Sequence, residues 1–166
     1  AVVPFFVFAL RRGAVLSDRH ERVRSAMLDA ATAVVDAHGA EVLRELIAQL
    51  EMSLDADNDA VTEAAVVLLG RAARHLAPED AHVRRVVDRL LDALRTPSEL
   101  VQEAVAACLP PLVRTAAVHG DVPAIVDQLF AELLHGASYA ARRGAAYGLA
   151  GVVAGCGVDS IRALRI

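Results

Sequence analysis

The sequence predicts an all-α solenoid, a stack of antiparallel helix pairs, and two observations support this fold class. A nine-residue apolar pattern recurs in register from Val23, Val61, Val101 and Ala141, so the copies are spaced 38, 40 and 40 residues apart. A second amphipathic segment precedes each copy. Self-similarity with a period near forty residues in an apolar sequence is typical of solenoids built from paired helices. Each of the four repeats is therefore expected to contain a helix A, a turn and a helix B.

The four recurring segments have the periodicity expected of the B helices. Their sequences are VRSAMLDAA, VTEAAVVLL, VQEAVAACL and ARRGAAYGL, whose nine aligned positions are here called columns one to nine. Columns one, four, five, eight and nine are apolar or small in every copy, which places them on one stripe of a helix. The small residue in column four would let a neighbouring helix approach closely.

The A helices are predicted from the amphipathic segments that precede the B helices. These segments are PFFVFAL from Pro4, EVLRELIAQL from Glu41, VRRVVDRLLDAL from Val83 and AIVDQLFAELL from Ala124. They give approximate repeat boundaries of 1–39, 40–77, 78–119 and 120–157 in a single array. Residues 158–166 are expected to begin a further repeat, and the chain is expected to be a fragment of a longer protein.

Residues in the turns indicate where helices begin. Thr96, Pro97 and Glu99 have the order of a capping hydroxyl, a proline at the first helical position and a glutamate three residues after the cap. The third B helix is therefore expected to begin at Pro97. Asp18 with Glu21 places negative charge where the positive end of a helix dipole would lie.

Other residues indicate where helices end or bend. His38, His119 and His135 each stand directly before a glycine, which is the pattern of a helix end closed by a left-handed glycine. Pro110 and Pro111 fall inside the third B helix and are expected to kink it, because a proline removes a backbone donor.

Charge and composition exclude several classes of protein. The net charge of −4 argues against a general phosphate-binding surface, although the 17 basic residues, all arginine, leave room for local basic patches. The longest uncharged window, 144–158, has 15 residues and is shorter than the roughly 18 to 20 that a spanning helix needs. Cys108 and Cys156 lack the spacing of a redox pair and are expected to be reduced. A cytoplasmic protein without a membrane span is expected.

No motif points to catalysis, a metal or a cofactor. Glu79 with His82 and Glu132 with His135 have the spacing of di-iron ligands, but both pairs lie at predicted helix ends instead of facing each other inside a bundle. The run Asp55–Asp59 begins like a calcium loop but lacks the glycine at position six and the glutamate at position twelve. The glycine-rich end of the chain has neither the lysine of a phosphate-binding loop nor a nucleophile motif. The chain is therefore not expected to be an enzyme.

Arginine and tyrosine side chains are the candidate partner-binding residues. Arg84, Arg85 and Arg89 form the densest basic strip, on the third A helix, whereas Arg143 opens the last B helix beside Tyr139. Such residues either form a solvated face or contact a protein or RNA partner.

A second set of residues is expected to hold the repeats together. Arg24 and Arg142 share column two, where an arginine can bond to an aspartate or carbonyl of the adjacent turn and join repeats. Asp18, Thr96 and Pro97 complete this set of structural residues.

Longer stretches resemble a known family. The stretch LSDRHERVRSAMLDAATAVVDAHG (16–39) has the aspartate, the Val-Arg pair and the small-residue helix of a HEAT repeat. Together with LLGRAARHLAPED (68–80), TPSELVQEAVAACLPPL (96–112) and SYAARRGAAYGLAGVVAGCG (138–157), it closely resembles the central HEAT array of the general-control translational activators. The likeness covers essentially the whole chain. Its most specific element is RRGAAYGLAGVV, in a region similar to the HEAT region of fungal elongation factor three.

The resemblance implies a right-handed superhelix that acts as a non-catalytic cytoplasmic scaffold on ribosomes and helps uncharged tRNA activate the amino-acid-starvation kinase. It also implies an ABC-type ATPase partner for the elongation-factor-like stretch and an indirect contact with ribosomal RNA, with the kinase-binding region further toward the C-terminus. An alternative from another class keeps the fold: a nuclear transport receptor or phosphatase scaffold that binds protein partners.

Overall fold

The computed structural model describes residues 2–10, 15–77, 79–80, 82–157 and 162, and these residues form α-helices, short 3-10 helices and turns without any strand. The α-helices are α1 (Val2–Ala9), α2 (Glu21–His38), α3 (Leu43–Ser53), α4 (Asp59–Ala72), α5 (His82–Ala93), α6 (Glu99–Val118), α7 (Val122–His135) and α8 (Tyr139–Cys156). The prediction of an all-α solenoid class is confirmed. Within the described ranges, no helix is both long and apolar enough to cross a membrane.

The chain divides into two compact units, Ala1–Leu76 with α1 to α4 and Ala77–Ile166 with α5 to α8. Each unit thus holds two of the predicted helix pairs. The repeat boundaries, the single array and its handedness stay predictions. The expected further repeat at 158–166 lies outside the described residues except for Arg162.

The first unit is built around α4. Asn58 begins this helix, because its side-chain oxygen accepts a hydrogen bond from the Val61 backbone N–H at 3.1 Å. All five apolar columns of α4 are buried against α2 and α3. At the surface, the Arg71 guanidinium donates to both carboxylate oxygens of Asp36 at 2.7 Å and so joins α4 to α2. This bond lowers the pKa of Asp36.

The predicted start of the third B helix at Pro97 is wrong, since α6 begins at Glu99 after the cap position Ser98. Thr96 Oγ1 accepts from the Ser98 backbone N–H at 3.3 Å and does not cap a helix that starts at Pro97. The carbonyl of Pro97 accepts from Arg143 Nη2 at 2.8 Å, and the Ser98 carbonyl is the one that accepts from the Gln102 backbone N–H, at 3.2 Å. Both residues belong to a turn whose carbonyls are bonded by side chains of the helices.

The left-handed glycine predicted after three histidines occurs at one of the three sites. Gly120 has φ 75° as predicted, whereas Gly39 has φ −60° and Gly136 has φ −55°. Gly39 donates to the Val35 carbonyl and continues into a 3-10 turn. Gly136 is extended, with ψ 136°, and its carbonyl accepts from Arg142 Nη1 at 2.8 Å. The left-handed conformation predicted at Gly39 and Gly136 is therefore wrong.

Candidate partner-binding surface and the contacts beneath it

Column two of the repeat closes the turn inside every helix pair. In all four copies its side chain donates to the backbone carbonyl six residues earlier, although the residue types differ. The bonds run from Arg24 Nη1 to Asp18 O at 2.8 Å, Thr62 Oγ1 to Ala56 O at 3.3 Å, Gln102 Nε2 to Thr96 O at 2.8 Å and Arg142 Nη1 to Gly136 O at 2.8 Å. The bonds of Arg24 and Arg142 therefore lie within one pair and do not join neighbouring repeats.

Gln102 makes further hydrogen bonds, to Leu94, Ala140 and Arg143, and this group of contacts in the second unit is here called the Gln102 hub. Its side chain is fully buried, and Nε2 also lies 2.8 Å from the Leu94 carbonyl oxygen and 2.9 Å from the Ala140 carbonyl oxygen. Its Oε1 accepts from Arg143 Nε at 2.8 Å. Because a buried amide costs free energy unless it is hydrogen-bonded, these contacts stabilise the meeting of α6, α8 and the turn after α5. Sequence reasoning missed Gln102.

Arg143, a predicted partner-binding residue, is engaged inside the unit. Its Nε donates to Gln102, its Nη2 donates to the Pro97 carbonyl at 2.8 Å, and its Nη1 lies 3.4 Å from Glu99 Oε2. The guanidinium carbon is 5.8 Å from the centre of the Tyr139 ring, within the range of a cation–π contact. Arg143 therefore fixes the start of α8 against α6. Tyr139 is 71% exposed and remains available to a partner.

Tyr147 forms a second polar link between α8 and α6. Its hydroxyl donates to Glu99 Oε1 at 2.8 Å and lies 3.2 Å from Glu103 Oε1. The hydrogen bond to Glu99, with smaller contributions from desolvation and Glu103, raises the pKa of Tyr147 to about 12. The neutral phenol is thus the form that the folded chain favours.

Glycines let the backbones of α6 and α8 approach each other. A Cβ added to Gly151 would lie 2.7 Å from the Ala106 carbonyl oxygen, and one added to Gly155 would lie 2.8 Å from the Pro110 oxygen. Pro110 and Pro111 lie inside α6 as predicted, and the expected kink stays a prediction. Since Pro110 has no N–H, the Ala106 carbonyl lacks its helical donor, and Gly151 of α8 covers it.

The basic strip of α5 is partly neutralised. Arg84 Nε donates to Asp88 Oδ1 at 2.9 Å, and its Nη1 lies 3.5 Å from Asp121 Oδ1. Arg85 is exposed, Arg89 is half-buried, and both also interact within the chain. Of the three predicted contact residues, Arg85 presents the most accessible charge.

One of the histidines considered as a metal ligand, His82, pairs with a carboxylate. His82 Nδ1 lies 2.6 Å from Asp80 Oδ1 at the start of α5. Across the described ranges, no group of three or more His, Cys, Asp or Glu side chains could hold a metal ion.

Cys156 is half-buried, and this burial raises the pKa of its thiol.

Comparison with known proteins places the chain among named relatives. The HEAT repeats of the stalled ribosome sensor GCN1 match residues 1–74. The human Stalled ribosome sensor GCN1 is 45% identical over 97% of this chain and 6% of its own length. Protein ILITYHIA of Arabidopsis thaliana is 40% identical over 89% of the chain and 6% of its own length. The eIF-2-alpha kinase activator GCN1 of Saccharomyces cerevisiae is 36% identical over 88% of the chain and 6% of its own length.

The chain thus spans only 6% of the length of these curated relatives. No solved structure matches it. The family match falls on the unit of α1 to α4, whereas the human relative matches 97% of the chain and so extends the likeness over α5 to α8. Because the GCN1 family match and these relatives together cover the chain, the resemblance to the general-control translational activators is confirmed, and the chain belongs to the GCN1 family of HEAT-repeat proteins.

Proposed function

We propose that this chain is a scaffold segment of a ribosome-associated cytoplasmic protein that helps to activate the starvation-responsive kinase of eIF-2-alpha. The supporting observation is the likeness to a relative named a stalled ribosome sensor over 97% of the chain and to one named an eIF-2-alpha kinase activator over 88%. The role belongs to the whole parent protein, within which this segment contributes a surface and no catalytic step.

The contacts between α6 and α8 suit such a role. Gln102 of α6 bonds to Ala140 and Arg143 of α8, Tyr147 of α8 bonds to Glu99 of α6, and Gly151 lets the two backbones approach. A surface that is already ordered loses little conformational entropy when a partner docks on it. This unit would therefore hold partners at a fixed spacing.

Arg85 and Arg89 of α5 are proposed to contact phosphate groups of ribosomal RNA. Both lie on one strip of α5, one turn apart, and Arg85 is exposed. Arginine guanidinium groups bind phosphate oxygens and give an affinity that falls as the salt concentration rises.

The experiment compares two charge reversals in the full-length parent protein. R85E with R89E is expected to lower the fraction that co-sediments with ribosomes and to reduce its salt dependence by roughly one unit of slope per lost phosphate contact. The matched control, R19E with R22E, makes the same change in net charge at exposed residues of the first unit. Phosphorylation of eIF-2-alpha during starvation is the second readout. Equal sedimentation of both double variants would contradict the proposed contact.

An ABC-type ATPase is proposed as a further partner, on the basis of the resemblance carried by RRGAAYGLAGVV. Most polar side chains of this stretch bond to α6, so the neighbouring Tyr139, which is 71% exposed, is the proposed contact. Y139A in the full-length protein is expected to reduce co-purification of the ATPase while changing the free energy of unfolding by less than about 1 kcal/mol. Unchanged co-purification would exclude Tyr139 from the contact.

A further inference from the structure

Two serines of the sequence follow an arginine by three residues. Ser25 follows Arg22, and Ser98 follows Arg95. Many serine/threonine protein kinases select this spacing, because an acidic pocket beside the active site binds the guanidinium while the hydroxyl meets the phosphoryl donor. Such a kinase binds its substrate segment in an extended conformation. The backbone conformation and exposure around each serine therefore decide which one the folded chain presents.

The two serines differ in backbone conformation. Ser25 lies inside α2, five residues from its start, so its arginine is part of the same helix. Ser98 has φ −73° and ψ 114°, which is extended, and residues 94–97 before it form the turn outside the helices. A kinase would have to unwind the beginning of α2 to bind Ser25, whereas the segment leading to Ser98 is already outside a helix. The folded chain therefore favours Ser98 as the acceptor.

The residues on both sides of Ser98 are accessible. The side chains of Arg95 and Glu99 are each 55% exposed, Pro97 is exposed, and Leu100 is 47% exposed. These are the positions that a kinase contacts before and after the acceptor. The half-buried Ser98 thus lies in a segment whose neighbouring side chains face solvent.

The ion pairs of Arg95 are weak enough to be exchanged. Its Nη1 lies 3.3 Å from Asp92 Oδ1, and its Nη2 lies 3.3 Å from Glu132 Oε2. Ion pairs of an exposed arginine contribute little to stability, because water screens both charges. Carboxylates of a kinase can therefore replace Asp92 and Glu132 as partners of this guanidinium.

The hydroxyl of Ser98 is not used to cap a helix. At Ser138, its counterpart 40 residues later, Oγ accepts from the Ala141 backbone N–H at 3.0 Å and caps α8, and the residue three positions earlier is His135. Within the described range 82–157, Ser98 makes no side-chain cap hydrogen bond to α6, and its own N–H donates to Thr96 Oγ1 at 3.3 Å. A modification of Ser98 thus breaks no cap, whereas one at Ser138 would.

An arginine of α8 lies beside residue 98. Arg143 Nη2 donates to the Pro97 carbonyl at 2.8 Å, and its Nη1 lies 3.4 Å from Glu99 Oε2, so the guanidinium contacts the residues on both sides of Ser98. Its side chain is 23% exposed. Phosphoserine carries about two negative charges at neutral pH and accepts strong hydrogen bonds from arginine. A phosphate on Ser98 would therefore compete with Glu99 for Arg143.

We propose that Ser98 is a phosphorylation site for a serine/threonine kinase that selects arginine three residues before the acceptor, and that Arg143 binds the resulting phosphate. Ser98 Oγ forms a bond to the γ-phosphorus of ATP, and the bond from that phosphorus to the bridging oxygen breaks. ADP leaves, and a base of the kinase takes the hydroxyl proton. Because the Arg143 guanidinium is also 5.8 Å from the Tyr139 ring centre, the phosphate changes the charge next to that exposed side chain.

The test treats the folded full-length parent protein with ATP and calcium/calmodulin-dependent protein kinase II, a kinase of this specificity. Trypsin releases residues 96–114, a peptide whose only hydroxyl side chains are Thr96 and Ser98, so fragment masses locate the phosphate. Phosphate is expected on Ser98 and not on Ser25. A synthetic peptide of residues 19–31 is the control and is expected to be phosphorylated at Ser25, because it is released from α2.

A variant tests the recognition of Arg95. R95Q is expected to slow phosphorylation of Ser98 roughly tenfold, because the kinase loses a charge-assisted hydrogen bond. The matched control R22Q makes the same change in charge at an exposed residue of α2 and should leave that rate unchanged. The proposal is overturned if Ser98 stays unmodified, if the phosphate lies on Thr96, if folded protein reacts equally fast at Ser25, or if R95Q reacts like the parent protein.

The contact with Arg143 is tested with phenylglyoxal, which modifies guanidinium groups. Phosphorylation of Ser98 is expected to slow the modification of Arg143 about threefold or more, because the phosphate covers its N–H groups. Arg142, the exposed neighbour on α8, is the internal control and should react at an unchanged rate. An unchanged rate at Arg143, or equal slowing at both arginines, would overturn the assignment of Arg143 as the partner of the phosphate.

Discussion

Gly144 of α8 lies directly against the carbonyl group of Leu94, and no side chain fits between them. A Cβ on Gly144 would overlap the Leu94 oxygen and lie 2.9 Å from Gln102 Nε2. The same carbonyl accepts from Gln102 Nε2 at 2.8 Å. Three segments of the chain, namely α8, α6 and the turn after α5, therefore meet at one atom.

Replacing Gly144 by alanine is expected to destabilise the chain by roughly 2–3 kcal/mol, because the backbone of the α5 turn must move. This cost exceeds the roughly 1 kcal/mol by which alanine favours a helix over glycine. Thermal unfolding followed by circular dichroism measures the difference. The control is G148A, whose Cβ would meet side-chain atoms of Leu94 and Leu129 at 2.7 Å, since those side chains can rotate. The expectation fails if G148A lowers the melting temperature as much as G144A.

Replacing Gln102 by leucine should cost about 2–4 kcal/mol, because it removes the hydrogen bonds of one buried and three half-buried partners. The carbonyls of Leu94, Thr96 and Ala140 lose their common donor, and Arg143 Nε loses its acceptor. Urea unfolding measures this loss. The matched change Q128L, at an exposed residue of α7, should stay within about 0.5 kcal/mol of the parent chain. Equal midpoints for the two variants would show that the hub contributes nothing.

Replacing Arg142 by alanine removes the bond that closes the last turn and is expected to cost about 0.5–1 kcal/mol. Replacing it by glutamine should cost less, because Gln102 already shows that an amide reaches the carbonyl six residues earlier. Both variants are compared by chemical unfolding of the chain. R142A and R142Q of equal stability would argue that the bond to Gly136 is not stabilising.

Tyr147 makes the stability of the chain dependent on alkaline pH. Its pKa is raised from 10.0 to about 12, so the unfolded chain loses the phenolic proton first. The stabilisation is complete below pH 10 and is lost as the pH rises toward 12. Absorbance at alkaline pH reports phenol ionisation, and Y139F leaves Tyr147 as the single tyrosine. Adding E99Q and E103Q should return its pKa toward 10.0; a titration that these two changes do not move would contradict this cause.

Local sequence patterns predicted the helices, but they did not predict which residues of each helix are buried. The apolar columns predicted all four B helices, and in α4 all five are buried, whereas Val23, Ala26 and Ala30 occupy the same columns of α2 and are exposed. Periodicity states which face of a helix is apolar. Which helix packs against that face depends on contacts between residues far apart in the sequence.

The same limit explains the errors at the third turn. Local propensity favoured a helix from Pro97, yet the Pro97 carbonyl accepts from Arg143, 46 residues away. For the same reason, the sequence did not show that Gln102 and Pro97 are neighbours of Arg143, whose predicted partner contact stays a prediction. The sequence did contain a signal for Gln102, because column two holds a side-chain donor in every copy: Arg24, Thr62, Gln102 and Arg142.

In column two, the Thr62 hydroxyl, the Gln102 amide and two arginine guanidinium groups each donate a hydrogen bond to the backbone carbonyl six residues earlier. A substitution in column two can change the size and charge of the side chain, provided that the new side chain still reaches this carbonyl. Column two can therefore hold a neutral or a positively charged residue while the turn within its own helix pair stays hydrogen-bonded. At Gln102 the same side chain also accepts a hydrogen bond from Arg143 of the following helix pair, so an exchange there alters a contact of the adjoining hairpin as well.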